Sequence, residues 1–152
     1  MFANVRSMNN KLLVVLAVLT LASFGVAQDD SFDTNYAQSL AHVVALELDA
    51  VVIDCPNIAN TDVYACIELP GTPSMGRTLL SSQLSTYDDV TQVEAWSVTD
   101  EDRYHAMYTF GETDDLQVVN MLVGEVAGET VVLIQHFGYI GENGFVSNPS
   151  LE

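Results

Sequence analysis

Two cysteines, three histidines and several runs of neighbouring carboxylates are the residues of this chain whose types and spacing could do chemistry. Cys55 and Cys66 enclose the stretch "DCPNIANTDVYAC". A zinc site would want CxxC or histidines close by, and no histidine lies between them. A redox pair would want CxxC or a neighbouring cation, whereas Asp54 and Asp62 beside these thiols raise their pKa. The spacing instead suits a β-hairpin. With its turn centred on Asn60-Thr61 the two cysteines lie directly opposite, where Cβ atoms come within about 4.5–5.5 Å, and a bridge forms after a small local adjustment. A structural disulfide is therefore expected, closing a loop of about 12 residues and stabilising the fold by roughly 3 kcal/mol.

Other chemistries are missing. Beyond Lys11 the sequence has no lysine, so a Schiff base, a Ser-x-x-Lys nucleophile and a P-loop are all excluded from the rest of the chain. "GTPSMG" only superficially resembles a nucleophile elbow and sits at a helix start, not after a strand. Arg77 and Arg103 are too few for phosphate recognition. Asp88-Asp89, Asp100-Glu101-Asp102 and Asp114-Asp115 fall at strand ends or in turns. None has the alternating oxygen ligands of a calcium loop, although "YDD" and "TDD" could meet at one sheet edge. No cofactor and no metal site is assigned; calcium at such an edge is a minor alternative.

The first 27 residues read as a secretory signal. Arg6 and Lys11 precede an apolar run, Leu12–Ala22, and small residues Gly25 and Ala27 mark a cleavage site before Gln28. The run is short of the ~20 apolar residues of a spanning helix, so no membrane association is expected after cleavage. Met8 also serves as a start, since "MNNKLLVV" is a complete signal opening. Loss of the leader removes two of the four basic residues and no acids, taking the net charge from −17 to −19. Such a surface repels nucleic acid and anionic lipid and suits a cationic partner. The reading is a secreted or periplasmic protein whose residues 28–152 form a single domain.

The elements that must position these residues follow from periodicity. Residues 33–48 read as a helix capped by Asp33, with Ala37, Leu40, Ala41, Val44 and Leu48 in one stripe and His42 facing away. Two short strands flank the cysteine hairpin. Residues 72–87 read as a second helix with Thr72 as cap, Pro73 at its first position, and Leu79, Leu80 and Leu84 inward. From Val90, four β-rich runs separated by turn residues read as a meander, and residues 138–152 as a coil tail. The fold class is α+β: two helices packed on an antiparallel sheet, order α-β-β-α-β-β-β-β, with a C-terminal four-stranded meander.

Turns centred on Asp100-Glu101, Thr113 and Val126-Ala127 would place His105 opposite Trp96 and Met121, and His136 opposite Gln117. His105 and His136 would then share a face roughly 16 Å apart, too far for one metal ion. The core face would carry Val93, Ala95, Tyr104, Ala106, Tyr108, Phe110, Leu116, Val118, Leu122, Val131, Leu133 and Phe137. The opposite face would mix Trp96, Val98, Met107, Val119, Met121, Val123, Val132 and Ile134 with Glu94, Arg103, His105, Gln117 and His136. That is more apolar surface than a wet sheet face carries. The candidate binding face is therefore Trp96, Arg103, His105, Met107, Met121 and His136, on a small acidic exported domain that binds or assembles without catalysis. Its partner would be a protein or small ligand, cationic by charge, or a second copy in a homo-oligomer. The alternatives are a hydrolase using paired carboxylates and an extracellular module dependent on calcium or salt.

Overall fold

The computed structural model describes residues 35–56, 64–100, 102–113 and 115–151. The leader, Asp33, Asp62, the Asn60-Thr61 turn, Glu101 and Asp114 lie outside them. Helix α1 spans Tyr36–Leu48 and buries Ala37, Ala41, Val44 and Ala45, while His42 is exposed. It ends at Asp49, whose left-handed backbone (φ 55°) turns the N–H back to the Ala45 carbonyl, a common way to satisfy the last carbonyls of a helix. Helix α2 spans Pro73–Leu84; the Thr72 hydroxyl accepts from the Met75 N–H at 3.4 Å and Pro73 occupies the first turn. Its buried stripe is Pro73, Gly76, Leu80 and Leu84. Leu79, expected to point inward, is 40 % exposed, because 100° per residue separates it from Leu80 and only one of the two can face the core. Among the described residues no helix is long and apolar enough to cross a membrane.

Seven antiparallel strands form one sheet: β1 Val51–Ile53, β2 Tyr64–Leu69, β3 Val90–Asp100, β4 Arg103–Phe110, β5 Leu116–Val126, β6 Glu129–Gly141 and β7 Gly144–Ser147. Their spatial order is β1-β2-β6-β5-β4-β3, and β7 pairs with the far end of β6. The expected element order holds, with the meander extended by one strand. The tail is the correction: residues 144–147 pair with Gly138–Gly141, and Pro149–Leu151 form a short 3-10 turn. Gly144 (φ 103°) makes the tight reversal, and Gly138 lacks the Cβ that would collide with the Val146 carbonyl and the Phe145 ring. Those glycines look like turn punctuation in sequence, yet they permit a strand.

The hairpin β1–β2 pairs Ile53 with Cys66. Cys55 lies two residues beyond that pair, so it bridges Cys66 diagonally, not directly opposite as the Asn60-Thr61 turn implied. The disulfide is present all the same, with Cα atoms 5.1 Å apart, inside the range that a bridge spans.

Registers in the meander decide which side chains are core. Val126 pairs with Glu129 across a two-residue turn, Ala127-Gly128, both with positive φ (55° and 89°). That is the twist-compatible hairpin turn, two residues from the expected pairing and therefore neutral in face. The β4–β5 connection differs by one. Phe110 pairs with Gln117 and His105 with Leu122, not Met121. Gly111 adopts φ 109° and its N–H donates to the Asp89 carbonyl at 2.9 Å, which opens the loop by a residue. A one-residue slip exchanges the two faces of a strand, and it does so for β5 and, through it, β6. Val119, Met121, Val123, Val132 and Ile134 are thus the core, together with Tyr104, Ala106, Tyr108 and Phe110, under Ala37, Ala41, Leu80 and Leu84.

Reducing the Cys55–Cys66 bridge, or replacing both cysteines with serine, is expected to cost about 3 kcal/mol. Denaturant unfolding with and without reductant measures it; an unchanged midpoint would show that the bridge constrains nothing.

Candidate binding face

The six residues proposed to share one face are divided between two. Trp96, Met121 and His136 lie on the helix-covered side, and Arg103, His105 and Met107 on the other. Met121 is fully buried in the core. Trp96 packs against it: the indole N–H donates to the Tyr108 hydroxyl at 3.0 Å, and the rings meet edge-on with centroids 6.2 Å apart. Trp96 is not opposite His105, because shifts in the β3 register place Ser97 there. Burial raises the Tyr108 pKa above its ordinary value, opposed by hydrogen bonds from Trp96 and Ser81.

His136 is only 1 % exposed. Its Nε2 lies 2.9 Å from Gln117 Oε1, its ring centroid 4.9 Å from that of Tyr36, and its carbonyl accepts from the Asn148 side chain at 3.0 Å. It is opposite Val119 in backbone register, and Gln117 reaches it diagonally. This histidine ties the start of α1 to the end of β6 and the tail. His105 lies on the reverse face, opposite Ser97 and Leu122, so the two histidines cannot converge on one ligand.

The helix-free face is built from alternate residues of five strands: Ile53 on β1, Tyr64, Cys66 and Glu68 on β2, Val131, Leu133 and Gln135 on β6, Val118, Asn120 and Leu122 on β5, and Arg103, His105 and Met107 on β4. None of these belongs to the core cluster beneath the helices. A polar ladder crosses its middle. The Asn120 amide donates to Gln135 Oε1 at 3.1 Å, and the Gln135 amide to the Tyr64 hydroxyl at 3.2 Å. Among the described residues, Asn120 Oδ1 is buried without a hydrogen-bond partner, a state that costs about 1–3 kcal/mol. Toward β7, Phe137 and Phe145 stack with centroids 6.2 Å apart, and Phe145 is 50 % exposed. Arg103 lays its stem across Gly124. Sequence reasoning missed the ladder, although Asn120 inside the apolar run "LQVVNMLV" is the signal that could have found it.

The acidic turns do come together in part. Gly111 links to the Asp89 carbonyl, and a Cβ on Gly111 would lie 2.6 Å from the Asp115 carbonyl, so Asp89 and Asp115 sit at one sheet end. Among the described residues no three His, Cys, Asp or Glu side chains are grouped to hold a metal ion. No protein-family model matches the chain, and no curated protein matches it.

Two outcomes follow. Trp96→Ala is expected to lower stability by about 2 kcal/mol, since a half-buried indole packed on the core is removed; an unchanged thermal midpoint would show that it is not part of the core. Tyr108 stays neutral in the native state above the pH at which an unfolded tyrosine ionises. Stability is therefore fully present below about pH 10 and falls as pH rises through the raised native value. Tyr108→Phe should flatten that alkaline decline in a pH series of denaturant melts.

Proposed function

We propose that this protein is a small, highly acidic exported domain that binds a partner or assembles with itself through the helix-free face of its sheet, and that it is not a catalyst. The observation that carries the reading is the composition of that face. Met107, Leu122 and Leu133, each partly exposed, neighbour Asn120 in the sheet register, and its Oδ1 has no partner among the described residues. A docked surface would cover the apolar groups, worth about 25 cal/mol per Å². The Cys55–Cys66 bridge suits an oxidising compartment, in keeping with a secreted or periplasmic protein.

The charge bears on the class of partner. With 21 acidic residues against four basic ones, long-range attraction favours a cationic protein and opposes nucleic acid. On the face itself, Glu68 is matched by Arg103, so contact there is governed by apolar burial and the Asn120–Gln135–Tyr64 ladder.

Leu122→Glu places a charge in the middle of this face without touching the helix-covered core. Wild type is expected to show a concentration-dependent mass by sedimentation, or retention on an immobilised basic polypeptide. The variant should lose either behaviour while keeping its circular dichroism spectrum. If the two sediment alike and elute alike, the face is not the binding surface.

A further inference from the structure

Between α2 and the edge strand β3 runs an open groove of about 440 Å³, lined by Arg77, Thr78, Ser81, Ser82, Ser85 and Trp96. It lies on the helix side of the sheet, apart from the face discussed above. Three features set it off from the rest of the surface.

The first is charge. No acid occurs between Glu68 and Asp88, the longest acid-free run beyond the leader, and α2 falls wholly inside it. Arg77 is one of two cations beyond the leader. Its guanidinium lies 5.0 Å over the Tyr104 ring, and among the described residues no carboxylate pairs with it. In so acidic a protein, a held arginine with its donors unused is a place for an anionic group. Acids farther away than about 8 Å are screened at physiological salt.

The second is the hydroxyl row. Thr78 and Ser85 spend their protons on the carbonyls of Ser74 and Ser82, at 2.9 and 2.8 Å. That leaves their oxygens as acceptors toward the groove, matching a ligand that brings O–H donors. Serine and threonine are poor residues for an exposed helix face, so packing alone does not call for them. The third is Trp96, whose N–H is already held by Tyr108. Its ring edge and face are all it can offer a ligand, and they suit the C–H face of a sugar.

A carboxylate for Arg77, hydroxyl donors for the serine row and a flat C–H face for Trp96 describe one ligand class. We propose that this groove binds sugar acids, with a hexuronate carboxylate on Arg77 and the ring against Trp96. Because Trp96 is the single tryptophan, its emission reports on the groove directly. Titration of the protein with trigalacturonate is expected to give a saturable change in emission, and neutral galactotriose none. Arg77→Gln should weaken binding about tenfold, the loss expected for a charge-assisted contact. Ser82→Glu, at an exposed helix position, should abolish it with the melting temperature unchanged. The absence of a saturable response, an equal response to the neutral trisaccharide, or wild-type binding by Ser82→Glu would each overturn the proposal. The last variant decides even if Arg77→Gln fails to fold.

Discussion

Alternation of side chains across the long strands β4, β5 and β6 is the constraint on which everything else depends. One set of alternate residues must be apolar and closely shaped, because two helices come down on it. Ala37, Ala41 and Ala45 on α1 and Gly76 on α2 keep those helices near the sheet. A Cβ on Gly76 would stand 3.0 Å from the Thr130 methyl and 3.2 Å from Leu69. Thr130 also donates its hydroxyl to the Gly71 carbonyl at 2.6 Å, pinning the loop from which α2 starts. Interiors packed to this density tolerate little change of volume, so the register is held by shape as well as by hydrogen bonds.

A sheet with one face committed to helices leaves the reverse face to be dealt with differently. Antiparallel sheets commonly turn a polar side to water, and here that side is mixed. Apolar groups lie between an amide–hydroxyl ladder and a few charged residues at the margins. The edges are handled by separate means. β3 carries three register irregularities along its pairing with β4, and exposes Val93 and Val98 along with Glu94. Bulged, charged edges discourage unplanned strand pairing. At the opposite edge β1 has only three residues, and the disulfide just past its end holds the hairpin that carries it. The protein thus blunts its sheet edges and keeps a mixed sheet face opposite the helices.

Acidity and groove composition are consistent with that division. Acids crowd the turns and strand ends, where solvent is plentiful and turn chemistry favours them. They are absent from α2, where Arg77 lies over Tyr104. A surface that opposes most anions is locally relieved of acids along α2.

Element order, both helices and the disulfide were legible in the residues alone, because each depends on local chemistry. Thr72-Pro73 is a favoured helix start and begins α2 here, and two cysteines 11 residues apart across a hairpin form the bridge. The faces of β5 and β6 were not legible. Both sets of alternate residues are apolar: Leu116, Val118 and Leu122 against Val119, Met121 and Val123. With no polar side to mark the outside, a shift of one residue at the Gly111–Asp115 loop reverses the assignment. Only the fit of Leu80, Leu84, Ala37 and Ala41 onto one of the two sets chooses between them. That is why Met121 and His136 belong with the helix-covered side while His105 and Met107 do not, and irregularities in β3 do the same for Trp96: strand periodicity is written in the sequence, but its phase is set by what packs against it.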